Sequence, residues 1–342
     1  MTPSVLHVLP HPGAGGETYL DLLEPMEGFS FERVSLTERR GPLEIARGLS
    51  RARRAARDAD LVHLHGDTVA LLCAGLAKRR PGVITFHGLH RLRRSGGPMR
   101  RALALGLRRA IGLARASICL SESELADAVP LAGPRLRDRL VMIHNGVGDP
   151  GPPGDGLRER TRRALGLEAG DVAVLYLGQL EERKGVLDLV DALGRARGSG
   201  APVVGLFAGD GPLRGEVASR APEVGAVALG HRDDAGALLE AADVFVMPSA
   251  REGLSLAVLE AMARGRAVIV SDGPGNPEAV GDAGIVTPFG DLVELTEALG
   301  RLAGDSALRS RLGAAARERA ATRFGAERMI AETRRVYERA IS

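Results

Sequence analysis

The chain has 342 residues, 44% hydrophobic and 26% charged, ordinary figures for a soluble globular protein and about twice a typical domain's length, so two full cores are expected. Its net charge of +3 rests almost wholly on arginine, Lys78 and Lys184 being the only lysines; with 3% aromatics and no tryptophan, stacking platforms for single-stranded nucleic acid are poorly supplied. No apolar run approaches the ~18 to 20 residues that span a bilayer and Met1 to Pro10 carries no signal-peptide pattern, so cytoplasmic residence is expected, and Cys73 and Cys119, lacking metal or CxxC spacing, read as buried thiols.

Val5 to Leu9 reads as a first buried strand, followed by the loop Pro10-His11-Pro12-Gly13-Ala14-Gly15-Gly16 and a helix from about Glu17. This brings backbone close to a ligand at a strand end, but no third glycine follows at dinucleotide-fingerprint spacing, and a tight turn needs no ligand. Alternation continues with an extended run near Phe31 to Leu36, a helix near Leu43 to Arg57, a strand at Leu61 to Leu64, a helix over Val69 to Arg79 and a strand at Val83 to Phe86. Such βαβα order predicts a parallel, doubly wound sheet. His63, His65 and His87 sit at strand ends. Neither helical H-x-x-x-H spacing nor an acidic third ligand accompanies them or His90, so no metal is expected; His63 reads as structural, and His87 as either structural or facing a ligand crevice. From Arg91 to Arg115 eight arginines interleave with leucines and no acidic residue, predicting a basic, partly amphipathic helix. It suits either a solvated surface or peripheral contact with anionic lipid or an anionic acceptor. Ser117 to Leu120 and Val141 to Ile143 close the first sheet.

Proline and glycine between Gly148 and Gly156 exclude regular structure, giving a linker over 149–156 between a domain of residues 1–148 and one of residues 157–324. After a helix near Leu157 to Leu165, the second domain opens with the strand Val172 to Leu177 and the loop Gly178-Gln179-Leu180-Glu181-Glu182-Arg183-Lys184-Gly185. A cation at this junction would neutralise a diphosphate, and a lysine is against the chain's own habit. Val203 to Ala208 ends in Gly209-Asp210-Gly211-Pro212, and Val227 to Leu229 leads into Gly230-His231-Arg232. Ala242 to Glu260 then reads as a strand (Val244 to Met247), a loop bearing Arg251 and Glu252, and an apolar helix entered through Gly253, Leu254, Ser255 and Leu256. The unpaired amides at that start make an anion site. Glu260 lies roughly 12 Å beyond it at ~1.5 Å per residue, too far for two carboxylates sharing one glycosidic bond. One carboxylate at each end of a ligand with a phosphate centre, such as a nucleotide-sugar, fits better. The only D-x-D, Asp58-Ala59-Asp60, precedes its strand, so a metal-dependent donor site is not expected. Helices near Leu292 to Ala303, Ser306 to Thr322 and Gly325 to Ala340 finish the chain.

Glu252, Glu260, the run Ala261-Met262-Ala263-Arg264-Gly265 and Pro277-Glu278, with Gly209-Asp210-Gly211-Pro212 and Asn145-Gly146-Val147, closely resemble the motifs of the family 4 retaining glycosyltransferases; weaker similarity extends over nearly the whole chain. The resemblance implies the GT-B fold, an α/β architecture of two Rossmann-like doubly wound parallel-sheet domains facing a central cleft, with the last helix, 325–342, crossing back to the first domain. It implies a retaining, metal-independent transfer from a nucleotide-diphosphate sugar, UDP- or GDP-linked, held mainly by the second domain, to an acceptor on the first, lipid-linked or small. No cofactor beyond this co-substrate is implied.

By the same resemblance Lys184 and Arg183 would face the diphosphate, Glu252 the sugar hydroxyls, His87 the sugar near its reacting carbon, and Glu260 the ribose. Gly15 and Gly16 would lie against phosphates and acceptor, Gly211 in a donor loop, the backbone at His231 and Arg232 against the base, and Gly253, Leu254, Ser255 and Leu256 at the phosphate. Family members carry an arginine where Gln179 stands, which weakens the phosphate clamp unless Arg183 substitutes. A non-catalytic nucleotide-sugar binder, a nucleotide-sugar epimerase of the same fold and nucleic-acid binding through Arg91 to Arg115 are the competing readings. A glycogen phosphorylase is disfavoured by chain length and by the lack of a candidate pyridoxal-phosphate lysine.

Overall fold

A computed structural model describes residues 2–11, 15–37, 42–152 and 154–342. Pro12, Gly13 and Ala14 of the first glycine loop, and Pro153 of the expected linker, lie outside the described residues. The chain divides into two compact units, Met1–Gly146 with Ala326–Ser342, and Val147–Gly325.

The first unit runs β1 (Ser4–Leu9), α1 (Gly15–Leu23), β2 (Ser30–Ser35), α2 (Pro42–Ala55), β3 (Leu61–His65), α3 (Asp67–Cys73), β4 (Gly82–Thr85), α4 (His90–Arg94), α5 (Gly97–Leu113), β5 (Ala116–Cys119), α6 (Glu122–Ala132) and β6 (Leu140–Met142). The second runs α7 (Leu157–Ala164), β7 (Val172–Leu177), α8 (Val186–Gly198), β8 (Val203–Ala208), α9 (Arg214–Arg220), β9 (Ala226–Gly230), α10 (Ala235–Ala241), β10 (Val244–Met247), α11 (Leu256–Ala263), β11 (Ala267–Ser271), α12 (Asn276–Val280), β12 (Ile285–Thr287), α13 (Leu292–Gly304) and α14 (Ser306–Arg323). The last helix, α15 (Ala326–Ile341), belongs to the first unit.

Among the described residues each unit holds one six-stranded sheet, β2-β1-β3-β4-β5-β6 and β12-β11-β10-β7-β8-β9, and every strand pairing is parallel. Helices on the faces of such sheets bury both sides, which is why β7, reading VAVLYL, is buried at every position. In both sheets the winding reverses once, between β1 and β3 and between β7 and β10. Just outside the carboxyl ends of those strands adjacent loops turn opposite ways, and open α/β sheets bind ligands there.

The two faces of the first sheet differ in chemistry. Leu6, Val8, Val62, Leu64, Ile84 and Phe86 point into an apolar core shared with α2, α3, α5 and α6. The alternate positions His7, His63, His65 and Thr85 are also buried, on the face that Tyr19 of α1 and Tyr337 of α15 join.

Several boundaries differ from expectation. α1 starts at Gly15, so Gly15 and Gly16 form its first turn and not a loop; an added Cβ on Gly16 would meet Leu9 Cδ2 at 3.2 Å. The basic stretch is two helices, broken at Ser95 and Gly96 because Ser95 is extended and Gly-Gly-Pro follows. Two of its arginines are structural: Arg93 pairs with Asp127, and Arg108 donates to the carbonyls of Leu131 and Ala132 at the end of α6. The segment expected as helix from Val69 to Arg79 is α3 followed by a 3-10 turn, Ala74–Lys78. Passage between units falls at 146/147 and 325/326, ahead of the expected linker; Val147 bridges Gly325, with Val147 N donating to Phe324 O at 2.7 Å. Among the described residues no helix is long and apolar enough to cross a membrane.

Candidate functional site

At the reversal point of the second sheet, the loops after β7 and β10 carry opposite charges into contact. After β7 the chain makes a 3-10 turn, Glu182–Lys184, and enters α8 through Gly185 at φ +64°. Only glycine fits, because that φ is left-handed and a Cβ would meet the Pro248 carbonyl oxygen at 2.2 Å. The Ala250 amide donates to the Arg183 carbonyl at 2.9 Å, joining the two loops a second time.

This packing places Lys184 Nζ 2.6 Å from Glu252 Oε1, the two side chains being 13% and 10% exposed. Ser249 Oγ donates to the same oxygen at 2.6 Å. Ser249 is in turn held through its carbonyl, which accepts from Ser271 Oγ. Burial pushes the Glu252 carboxyl up, but the Lys184 charge, hydrogen bonds from Lys184 and Ser249, and the Arg183 charge together outweigh it; the group lies below its ordinary value and is ionised. Arg183 pairs with Glu181 at 2.6 Å, and its buried Nη1 has no partner among the described residues. Two cations and two carboxylates, Lys184 with Glu252 and Arg183 with Glu181, share the junction, and the Arg183 Nη1 is left as a donor for a further acceptor.

The β10 loop continues into α11. Ser255 is the N-cap, its hydroxyl accepting from Val258 N at 3.5 Å, and the helix starts at Leu256. No carbonyl of the helix itself reaches the amides of Leu256 and Ala257. Gly253 and Leu254 are buried against the β11 loop, where a Cβ on Gly275, at φ +87°, would meet the Gly253 carbonyl oxygen at 2.0 Å. The Glu252 amide is already used, donating to Pro274 O at 3.0 Å. Glu260, further along α11, has its carboxyl raised by burial, an effect that Arg264 reduces.

The other expected residues of this unit lie on loops at the same strand ends. Gln179 is exposed, and its carbonyl accepts from the buried Tyr176 hydroxyl at 2.7 Å. Gly211 packs so closely on the β7 loop that a Cβ would meet Leu180 O at 2.5 Å, a structural reason for glycine there. His231 and Arg232 are exposed and paired with Asp233 and Asp234. His87, Gly15 and Gly16 belong to the first unit.

His87 follows β4 with a left-handed backbone, φ +56°, and Leu89 is likewise at +47°. Glu124 holds this strained turn: its carboxylate accepts from the amides of Gly88 and, at 2.6 Å, Leu120. Burial pushes the Glu124 carboxyl up to about 7 despite those hydrogen bonds. Sequence reasoning missed both Glu124 and α6, although Ser121-x-x-Glu124 is a capping-box signal; Ser121 Oγ indeed accepts from Glu124 N at 3.1 Å. His63 is fully buried between Tyr337 Oη at 2.6 Å and Thr85 Oγ1 at 2.7 Å, a structural histidine.

Comparison with known proteins places both units. Residues 6–149 match the family described as Glycosyltransferase Family 4, and residues 171–305 match Glycosyl transferases group 1. The chain is 34% identical over 290 residues, 78% of its length and 68% of the relative's, to the 2-deoxystreptamine N-acetyl-D-glucosaminyltransferase of Streptomyces fradiae. It is 30% identical over 291 residues, 81% of its length and 68% of the relative's, to a glycogen synthase of Mycobacterium tuberculosis. The crystal structure of Anabaena HepE in complex with UDP-glucose superposes with a TM-score of 0.82, at 20% identity, over 98% of this chain and 99% of that one. Two doubly wound sheets, the motifs at their strand ends and these matches agree: the chain belongs to the group 1, family 4 glycosyltransferases of the GT-B fold.

Proposed function

We propose that the protein transfers a sugar from a nucleotide-diphosphate sugar, UDP- or GDP-linked, to an acceptor alcohol with retention of anomeric configuration and without a metal ion at the donor. The observation that carries this is the Lys184–Glu252 pair at the reversal point of the second sheet, beside Arg183 and the start of α11. The UDP-glucose bound by the Anabaena protein of the same fold supports a nucleotide-sugar donor.

Departure of the nucleotide-diphosphate puts negative charge on its β-phosphate oxygen. Lys184, the unpartnered Nη1 of Arg183 and the first-turn amides of α11 are fixed donors for that charge, which stabilise the transition state more than the ground state. The ionised Glu252 accepts from sugar hydroxyls, and Glu260 from the ribose. The acceptor proton passes to the leaving phosphate, so no protein base is needed. Arg183 and Lys184 supply the positive charge that a divalent ion would otherwise bring. The lone D-x-D is occupied elsewhere, Asp60 Oδ2 accepting from Ser4 N and Oγ at 2.8 and 3.1 Å. The first unit takes the acceptor, with His87 its residue toward the sugar.

The exposed Gln179, where a second phosphate cation would stand, favours one other reading, a nucleotide-sugar binder without turnover. A panel of UDP-, GDP-, ADP- and dTDP-sugars decides between them, first by thermal shift and then by nucleotide release with candidate acceptors. One donor is expected both to stabilise the protein and to release nucleotide. Stabilisation without release across all acceptors, in the wild type and in Gln179→Arg, establishes the binder; no stabilisation by any donor removes the donor site.

A further inference from the structure

The polar face of the first sheet carries three imidazoles in a row. His7 Nδ1 lies 2.9 Å from His65 Nε2, and His65 Nδ1 lies 3.0 Å from His87 Nε2. His7 and His65 are 1% exposed, whereas His87 is partly accessible, so the row leads from the interior to the strand end. Tyr19 stands edge-on to His87, ring centroids 5.1 Å apart at 90°, and Glu124 pins the following residue. Burial keeps the rings neutral: His7 is lowered to about 3, with the Arg33 charge adding to the effect, His65 lies well below its usual range, and His87 is lowered to about 4, with His90 adding.

A neutral imidazole has one N–H and one lone pair. If His7 donates from Nδ1, His65 must accept at Nε2 and carries its proton on Nδ1; it donates to His87 Nε2, whose proton is then on Nδ1. If the row runs the other way, all three protons sit on Nε2. No mixed arrangement satisfies both hydrogen bonds, so the rings share one tautomer. Because His87 Nε2 is engaged by His65, only Nδ1 remains to meet a substrate.

We infer that His65 and His7 are positioning residues, a buried imidazole relay that fixes which tautomer His87 presents through Nδ1 to the substrate. The inference rests on the proposed transfer only for its final step, the contact of His87 with substrate. The nitrogens of His7, His63 and His65 lie within 4.8 Å of one another, which by proximity alone would also suit a metal ion. Their hydrogen bonds argue for the relay, since His63 and His65 each have both nitrogens engaged.

The test is long-range proton–nitrogen NMR of the full chain labelled with 15N-histidine, its eight histidines assigned through single His→Gln variants. At pH 7, His7, His65 and His87 are expected to be neutral and in the same tautomer. Different tautomers among the three, an imidazolium, or nitrogen shifts of zinc ligation with stoichiometric zinc in the purified protein would each overturn the relay. In His7→Phe, the His87 nitrogens are expected to move toward averaged shifts and kcat/KM to fall about 10-fold with KM little changed, the pattern of a weakened interaction made only in the transition state. An unchanged His87 tautomer in a folded His7→Phe overturns the positioning role. Should that variant not fold, the wild-type spectrum still decides whether the tautomers are shared. Failure of the wild type to release nucleotide from any donor defeats the transfer reading alone, because the NMR result does not depend on turnover.

Discussion

Replacing Lys184 by methionine separates the stabilising and chemical roles of its ion pair. In the wild type the Glu252 side chain is 10% exposed and shares one oxygen between Lys184 and Ser249. Removing one partner of a buried pair destabilises by about 3 to 5 kcal/mol, and with both side chains slightly exposed the lower end, about 3 kcal/mol, is expected at pH 8. The sign follows from protonation. In the wild type the Glu252 carboxyl is held below its ordinary 4.5, so its contribution is present above that pH and lost as pH falls through the folded value. In Lys184→Met burial is opposed by less charge and the carboxyl rises above 4.5; the mutant then loses stability as pH rises. The gap between the two proteins therefore begins to open as pH rises through the wild-type folded value, below 4.5, and is widest once the raised carboxyl of the mutant is also ionised. Lys184→Met/Glu252→Gln should recover most of the stability, since no uncompensated charge stays buried. It should not recover transfer, which loses about 10²-fold or more in both variants with the phosphate donor gone. Urea unfolding followed by circular dichroism at pH 4 to 8, with nucleotide release in parallel, reads both quantities. Equal stability of wild type and Lys184→Met at pH 8 would refute the energetic argument, and wild-type turnover in the double variant would refute the catalytic one.

Glu260→Ala should weaken free nucleotide about 10-fold, the scale of one charge-assisted hydrogen bond, without changing which sugar is preferred; calorimetric titration with the nucleotide identified by the donor panel measures it. Gln179→Arg should lower the donor Kd several-fold by adding a second phosphate cation, and an unchanged Kd would mean that Arg183, with its buried unpartnered Nη1, already fills that place. Glu124 binds more protons folded than unfolded between its ordinary 4.5 and about 7, so wild-type stability should decline with rising pH across that window. Glu124→Gln, which does not titrate, should abolish that decline. Unfolding midpoints from pH 4.5 to 8 test both statements.

The sheets were legible because continuous apolar runs such as Val172 to Leu177 alternate with helical periods, and because glycine marks their ends. Lys184 stood out by rarity and Glu252 by its place before an apolar helix. Their contact did not: they are 68 residues apart, and the 2.6 Å distance depends on loops that meet backbone to backbone at Gly185 and Pro248. The relay escaped for a similar reason. His63 and His65 drew notice together, but His7 lay within an apolar strand, and only strand order places β1 beside β3 with His7 opposite His63. Alternation could have shown that His7, His63 and His65 lie on like faces of their strands, had the period been followed through β1. The split of the basic stretch was legible in Ser95-Gly96-Gly97-Pro98, yet the arginine count dominated the reading.

The helix α15 covers the histidine face, with Tyr337 hydrogen-bonded to His63, and it follows the whole second unit in the chain. On the ribosome, residues 147–325 form one uninterrupted segment and can complete their own sheet while the first unit still lacks its last helix. The N-terminal unit, synthesised first, is thus finished last. Until residues 326–342 emerge, the sheet face on which His7, His63 and His65 sit among the apolar Val5, Leu9, Leu61 and Val83 lacks the helix that buries it in the finished unit.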